Sequence, residues 1–410
     1  MKNQSQSTFL QDLLRRETIP VFSMYFFWGF GTGGLWLVRP LFAYETSDGS
    51  FLLVALISAV SALPRLVTSP LTGYLTDRFG RKPFVVLGSV LHIVAMVSDF
   101  FVDSYLPFLL LEVVGGIGIS IWMTSANILM ADNTRTETRG RIVAVRETSS
   151  RIGLLIGPAI AGVIGAVFGL RYIFFFIAAC KVVVIVITVL WIKETRARRA
   201  AATTPRRPGF SLPHLDFAMF RTRGFLALAA GTFAVSMVGG GTGVFRTLFP
   251  PYTKDAIGLG QGEIGLLLSV AAGIALASTI PAGLSTDRLG RKRTLIVGML
   301  TTALAVYVMG AGGTIVFAAI SVVMFGLSEA FGWGTMQVYA MDLAPENKRG
   351  AFLGVWGFFQ VLGQIAGPLL IGVLADGYGF QLAFTVATGI LVAGAVMVLI
   401  FGPETRRRAH

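Results

Sequence analysis

Charged residues, cysteine and histidine are all scarce in this sequence. Of its 410 residues, 13% are charged, against about a quarter in a typical soluble protein. The single cysteine, Cys180, excludes an intramolecular disulfide and a cysteine-based metal cluster. The three histidines (His92, His214 and His410) are scattered, and no nucleophile–base set accompanies them. These absences disfavour a soluble protein and an enzyme, and we expect no cofactor.

Apolar residues, by contrast, make up 54% of the chain and occur in long runs. Runs of about 18 residues or more can cross a hydrocarbon core of roughly 30 Å. We predict an all-α membrane protein with twelve transmembrane helices. The amino terminus is polar up to Phe9 and has no cleavable signal pattern, so we expect the first run to stay in the mature protein. The predicted spans lie near Ile19–Ala43, Gly49–Leu75, Pro83–Val102, Leu106–Ala131, Arg139–Val167, Leu170–Lys193, Gly224–Pro250, Gly260–Ser285, Thr294–Ala311, Thr314–Met341, Ala351–Ala375 and Phe380–Gly402.

A charged ten-residue stretch occurs twice. Residues 73–82 read Gly-Tyr-Leu-Thr-Asp-Arg-Phe-Gly-Arg-Lys, and residues 283–292 read Gly-Leu-Ser-Thr-Asp-Arg-Leu-Gly-Arg-Lys. Other matches keep the same offset, including Glu194-Thr-Arg with Glu404-Thr-Arg. Two six-span halves that enter the membrane in the same direction form a parallel repeat, which typically encloses a site at its interface. We predict two pseudo-symmetric bundles, residues 1–193 and 223–410, joined by a basic linker at 194–222.

The basic residues are placed asymmetrically. If the amino terminus is cytoplasmic, 26 of the 34 Lys and Arg lie in cytoplasmic segments, and the outer loops hold only Arg171 and Lys254. This positive-inside bias predicts that both termini are cytoplasmic, in a membrane of the prokaryotic inner type. It explains the net charge of +13 by topology and attraction to anionic lipid, so we expect no nucleic-acid partner. The linker is either a plain tether or a regulatory binding segment.

The doubled pattern Gly-x-x-x-Asp-Arg-x-Gly-Arg-Lys, between spans two and three and between spans eight and nine, resembles the hallmark loop of the major facilitator superfamily. The resemblance covers all twelve spans and points to drug/proton-antiporter-like members. It implies a transporter that rocks two six-helix bundles around a central site. By the same resemblance, Asp77 would face the start of span eleven near Gly350, and Asp287 the start of span five near Gly140.

These contacts would lock the cytoplasmic side shut and open as the halves rock, helped by the attraction between a carboxylate and a helix amino terminus. The other interpretation is that the charges only anchor the loops at the lipid interface. The predicted latch residues are Gly73, Asp77, Arg78, Gly80, Arg81, Asp132, Arg139, Asp287, Arg288, Arg291, Asp342 and Arg349.

Span five carries a glycine–proline pattern that resembles the motif of the superfamily's antiporters. It consists of Gly153, Gly157, Pro158 and Gly162. Proline bends a helix and glycines permit close packing against neighbouring spans. Because span eleven repeats the pattern from Gly363 to Gly372, inherited repeat architecture remains an alternative to an antiporter signature.

Several polar or ionisable residues fall inside the predicted spans, where charge is unfavourable and such side chains usually face a cavity. We predict that they line the substrate and proton pathway, together with uncharged groups that suit an amphipathic organic compound. The candidates are Arg65, Glu112, Asn127, Arg146, Glu147, Arg151, Glu329, Gln360 and Gln364.

Two interpretations of the span-five charges stay open. Glu147 and Arg151 stand one helical turn apart with the acid first, which favours a self-compensating ion pair. Alternatively, Arg151 meets Arg65 at one depth and forms a cationic spot for an anionic substrate group or for Glu329.

Three further cations are predicted to be structural. Arg39 and Arg246 lie near the outer ends of spans one and seven, where long side chains can snorkel to the interface. Lys181 lies in span six, which is an outer helix in this superfamily.

Span four departs from the superfamily's exporters, which often carry Arg-x-x-Gln-Gly-x-Gly there. This chain reads Glu112-Val-Val-Gly-Gly-Ile-Gly instead, so the usual arginine is absent. A membrane-buried carboxylic acid can itself carry protons. Glu112 and, in the second half, Glu329 are each either a proton carrier or a buried structural acid.

The sequence therefore leads to a proton-coupled antiporter that exports a small amphipathic compound, driven by a proton gradient and expected to be monomeric. One alternative is uptake or exchange of an organic anion at an arginine site. Another, from a different class, is a transporter-like receptor or scaffold that moves nothing, which the intact doubled loop disfavours.

Overall fold

The computed structural model describes residues 19–133, 139–192, 194, 220–239, 241–345 and 349–405, without the side chains of residues 133 and 139–142. Within these ranges, twelve helical spans are long and apolar enough to cross a membrane, and no strand occurs. The predicted all-α membrane fold is confirmed. In chain order the helices are Ile19–Thr46, Phe51–Ala62 with Pro64–Phe79, Lys82–Phe100, Tyr105–Asn133, Arg139–Phe168, Tyr172–Trp191, Arg223–Gly239 with Val244–Ile257, Gln261–Leu289, Arg291–Ala311, Ile315–Ser328 with Thr335–Leu343, Arg349–Tyr378 and Phe380–Phe401.

Three of the twelve spans are not continuous α-helices. Span two breaks at Leu63, because proline at position 64 cannot donate a backbone hydrogen bond and restricts the residue before it. Span seven has two helices on either side of its glycine-rich stretch at 239–243. Span ten contains a π-helical turn at Glu329–Gly334, a feature that is frequent at functional sites.

One compact unit consists of the described residues of Met1–Val38 and Leu63–Pro208. In this unit spans one and five pack backbone to backbone through glycines. A Cβ atom on Gly33 would lie 2.7 Å from Cδ of Pro158, and one on Gly153 would lie 2.6 Å from the backbone N of Phe30. The glycine–proline motif of span five therefore permits a close helix contact, as small residues do in membranes.

The interior of this unit holds a lysine in contact with aromatic rings. Lys181 is fully buried, donates to the backbone oxygen of Trp28 at 3.0 Å, and lies 3.5 Å from the centroid of the Trp28 ring. Trp28 in turn stacks face to face on Trp122, with the ring centroids 3.5 Å apart. The side chain of Lys181 points inward against span one, and its predicted structural role stays a prediction.

The second compact unit consists of Arg39–Ala62 and the described residues of Gly209–His410. Spans seven and eleven pack closely here, since a Cβ atom on Gly363 would lie 2.6 Å from the backbone oxygen of Phe233. Residues 39–62 pack against spans seven and eleven, and Gly372 approaches the backbone of Phe51. The predicted domain boundaries, which assign residues 39–62 to the amino-terminal bundle, stay a prediction.

Candidate functional site

The first charged loop is organised around Arg81, whose side chain is buried. Its guanidinium binds Asp77 at 2.8 Å and Asp132 at 3.0 Å, and donates to the backbone oxygen of Thr76 at 3.0 Å. Glu194 accepts the backbone N–H groups of Arg81 and Lys82, both at 3.0 Å. The carboxylates thus hold the loop at the start of span three, where their charge also favours the helix amino terminus.

The second loop repeats this arrangement around Arg291. Its guanidinium contacts Asp287 at 3.5 Å and Asp342 at 3.0 Å, and Glu404 accepts the Arg291 backbone N–H at 2.9 Å. The structure therefore brings together six of the predicted latch residues with the two glutamates, as one network of three latch residues and one glutamate in each unit. Arg78, Arg288 and Arg349 are exposed, and the side chain of Arg139 lies outside the described residues.

A second polar cluster in the first unit surrounds Arg146 on span five. Arg146 donates to Oδ1 of Asn127 at 2.6 Å, forms an ion pair with Glu147, and lies 5.3 Å from the Tyr25 ring centroid. The Tyr25 hydroxyl donates to the same Asn127 oxygen at 3.2 Å. The cluster therefore combines charge, amide and aromatic groups within one patch of spans one, four and five.

This cluster corrects the predicted pairing on span five. Glu147 pairs with its chain neighbour Arg146, not with Arg151 one turn away. Arg151 is half-buried and has no ion pair or hydrogen bond with any described residue. Arg65 is also half-buried, and its meeting with Arg151 stays a prediction.

In the second unit, Arg246 of span seven forms an ion pair with Glu329 of span ten. The two side chains are only 14% and 15% exposed, and the guanidinium carbon lies 6.0 Å from the ring centroid of Phe325. Glu329 is the first residue of the π-helical turn. The expectation that Arg246 snorkels to the interface is wrong, because its largely buried side chain pairs with Glu329 of span ten.

The remaining predicted pathway residues are placed but not joined into one group. Glu112 is fully buried. Arg39, which the sequence analysis placed at the interface, is also almost fully buried. Gln364 is also buried, next to Gly241, and Gln360 lies one turn before it on span eleven. No group of three or more potential metal ligands occurs in the part of the chain that the structure describes.

These features can be compared with those of known proteins. The sequence matches the model of the Major Facilitator Superfamily over residues 21–245 and 231–410. The chain belongs to the Major Facilitator Superfamily. The resemblance seen in the doubled loop is thereby confirmed.

Relatives of this superfamily member include drug-resistance proteins. It is 27% identical over 385 residues to the tetracycline resistance protein, class G, of Vibrio anguillarum, covering 90% of this chain and 91% of that protein. It is 26% identical over 374 residues to the multi-drug resistance efflux pump PmrA of Streptococcus pneumoniae, covering 86% and 88%. The solved xylose transporter XylE from E. coli shares the fold, with a TM-score of 0.74, 17% identity, and coverage of 96% and 97%.

The superfamily match establishes a multi-pass membrane protein that acts as a secondary transporter, not as an enzyme. Sequence reasoning missed the partner of Glu329 and the contribution of Tyr25. Arg246 was missed because its position near the outer end of span seven suggested that it snorkels to the interface. Tyr25 carried no signal, since an aromatic residue in a membrane helix is usually part of the packing.

Proposed function

We propose that the protein is a proton-coupled antiporter that exports a small amphipathic organic compound by alternating access. The observation that carries the proposal is the buried ion pair of Arg246 and Glu329 at the π-helical turn of span ten. A buried pair is sensitive to the loss of either charge, because the remaining charge is left without compensation. Protonation of Glu329 would therefore release Arg246 and alter the contact between spans seven and ten.

The same pair suits coupling to an export cycle. A proton taken up from one side neutralises the carboxylate and weakens the contact, and its release to the other side restores the ion pair. Glu112, fully buried in span four, is a second proposed proton carrier. The name of one relative, a multi-drug resistance efflux pump, supports export, and that of a second, a tetracycline resistance protein, supports an organic cargo.

The charged loops are proposed to act as latches on the cytoplasmic side. Asp77 and Asp287 stay 65% and 73% exposed while each is bound to the arginine one turn further along. We propose that Asp77 acts on the start of span eleven and Asp287 on the start of span five, since a carboxylate is favoured at a helix amino terminus. Positive-inside placement supports cytoplasmic termini in a bacterial inner membrane.

The coupling is tested by transport in proteoliposomes with an imposed pH gradient, using tetracycline and ethidium as probes. Gradient-driven movement should be lost in Glu329→Gln, because a neutral amide cannot cycle between charged and protonated states. Probe binding without a gradient should persist. Glu263→Gln is the matched control, since Glu263 caps the start of span eight, at Gly260, with an exposed side chain. Gradient-driven transport that is unchanged in both Glu329→Gln and Glu112→Gln would overturn the proposal.

Arg151 favours a second candidate function. It is a half-buried cation with no ion pair among the described residues, which suits recognition of an organic anion. In that case the protein takes up or exchanges an anionic metabolite. The same proteoliposomes distinguish the two, because anion exchange would proceed without a pH gradient and would be unaffected by Glu329→Gln.

A further inference from the structure

Glu329 begins a π-helical turn that has no counterpart in the equivalent span of the first half. Span ten is α-helical up to Ser328, forms the π-helical turn Glu329–Gly334 and is α-helical again from Thr335. Span four, which matches span ten in the repeat, is one continuous α-helix over Tyr105–Asn133. Because π-helical turns are rare, contacts from neighbouring spans are needed to stabilise this one.

The main chain of the π-helical turn lies directly against a glycine of span nine. A Cβ atom on Gly298 would lie 2.5 Å from the carbonyl carbon of Phe331, and closer still to the N and Cα atoms of Gly332. Gly332 is itself buried, and a Cβ atom on it would lie 3.4 Å from the carbonyl carbon of Gly298. The two spans therefore touch through their main chains, and any side chain at position 298 would displace the turn.

Contacts on both sides of the turn prevent span ten from rotating to compensate. Before the turn, the Phe325 ring stacks on that of Phe245 in span seven, with the centroids 3.7 Å apart. After the turn, the hydroxyl of Thr335 lies 3.1 Å from that of Thr286 on span eight. A displacement caused by span nine must therefore be absorbed within the turn itself, which begins with Glu329.

The turn connects two contacts that point in different directions. Gly332 faces span nine, whereas Glu329, three positions earlier, pairs with Arg246 of span seven. The shape of the turn therefore determines the angle around the helix axis between these two contacts. Because both side chains of the ion pair are largely buried, the pair is favourable only with good geometry.

The internal repeat separates this role from close packing alone. Gly88 matches Gly298 at the repeat offset, and a Cβ atom on it would lie 2.6 Å from the backbone N of Trp122 in span four. The same main-chain contact thus occurs in the first half, but Ile119 stands there in the place of Glu329 and the helix is continuous. Close packing accounts for Gly88, whereas Gly298 also lies against the turn that carries a charged residue.

We propose that Gly298 is a positioning residue for Glu329: because it has no side chain, it admits the main chain of the π-helical turn and so holds the carboxylate where it pairs with Arg246. A larger residue at position 298 would push the turn away from span nine and weaken the ion pair. The consequence for transport rests on the proposed function of Glu329, whereas the positioning itself can be measured without transport.

A double-mutant cycle in the purified protein measures this positioning. Arg246→Met and Glu329→Gln, alone and together, are made in the parent chain and in Gly298→Ala, and their apparent Tm values in detergent are compared. The coupling is the difference between the Tm loss of the double variant and the sum of the two single losses. It reports on the ion pair alone, because a change that only loosens the packing lowers all four Tm values alike.

In the Gly298→Ala background the coupling should fall by at least half, since the two charges lose their mutual geometry. Gly88→Ala is the matched control, because it introduces a similarly close contact in the first half. It should lower the Tm but leave the coupling at its parent value. If Gly298→Ala fails to fold, Gly332→Ala takes its place, with a smaller loss of coupling because its added Cβ atom makes a longer contact.

Three results would overturn the positioning role. They are a parent chain without coupling, an unchanged coupling in Gly298→Ala or in the Gly332→Ala that replaces it, and an equal loss of coupling in Gly88→Ala. Gradient-driven transport by Gly298→Ala in proteoliposomes separates the positioning from the proposed function. If the coupling falls while transport is unchanged, Gly298 does position Glu329, but the proposed role of Glu329 in proton coupling is wrong.

Discussion

The two copies of the charged loop pair equivalent residues but bury their central arginine to different depths. The Arg81 side chain is 2% exposed and lies 2.8 Å from Asp77, whereas the Arg291 side chain is 20% exposed and lies 3.5 Å from Asp287. The motif determines which groups pair. The surroundings of each loop determine how far water reaches the arginine–aspartate ion pair, and hence how much that pair contributes to stability.

This difference has an energetic consequence. Removing one partner of a buried ion pair leaves a charge without compensation, whereas an exposed pair contributes little because water and salt screen it. The first loop should therefore be a structural element of its unit as well as a proposed latch. The second loop should be able to change partners with a smaller loss of stability than the first.

The largest expected effect is that of Arg81→Ala. It removes the buried guanidinium that binds Asp132 and donates to the backbone oxygen of Thr76, and we expect a loss of about 3 kcal/mol in stability. Arg291→Ala should lose about 1 kcal/mol, since its network is more exposed. Thermal unfolding of the two variants in detergent, followed by loss of monodisperse protein, compares them directly.

Arg81→Lys and Arg291→Lys serve as controls for charge, because lysine keeps the charge but cannot reach both aspartates at once. Equal destabilisation by the two alanine variants would show that burial does not distinguish the loops.

The sequence predicted the members of these networks but not their depth. The repeat offset identified Asp132 with Asp342 and Glu194 with Glu404, because residues that take part in the same network recur in both halves. Depth depends on side chains from other spans, which no local spacing encodes. The twelve spans were predictable because hydrophobic length is a local property of the sequence. The grouping of residues 39–62 with the second unit depends on contacts between spans, so it was not predictable.

The candidate sites show the same limit. Glu329 and Glu112 were singled out because charge inside an apolar span is conspicuous. Their surroundings come from three-dimensional packing, so the Arg246 partner of Glu329 was missed and the predicted partner of Glu147 was wrong. A break or π-turn inside a span shifts every later side chain around the helix axis, which invalidates counting by turns.

An intermediate effect, equal in the two loops, is expected at their second glycines. Gly80 and Gly290 have φ values of +99° and +100°, a region that side chains rarely adopt. An added Cβ atom would lie 2.7 Å from the Glu194 carboxylate and 2.6 Å from that of Glu404. Gly80→Ala and Gly290→Ala should each destabilise by about 1–3 kcal/mol, because the backbone geometry is the same in both.

The measurement is again thermal unfolding of the paired variants. Gly283→Ala is the matched control, since its added Cβ would meet no atom within 4 Å and its backbone is helical. A much larger effect at Gly80 than at Gly290 would mean that burial, and not backbone conformation, governs this position too.

The smallest effect should come from the two glutamates, and it should depend on salt. Glu194 uses its two oxygens for two backbone N–H groups at 3.0 Å, whereas one oxygen of Glu404 accepts both of its donors, at 2.9 and 3.5 Å. Glu194→Gln should therefore destabilise by about 0.5–1 kcal/mol and Glu404→Gln by less. Because both side chains are exposed, the difference between the variants measured at about 0.05 M NaCl should vanish at about 1 M. A difference that persists at high salt would indicate that Glu194 acts through hydrogen-bond geometry and not through its charge.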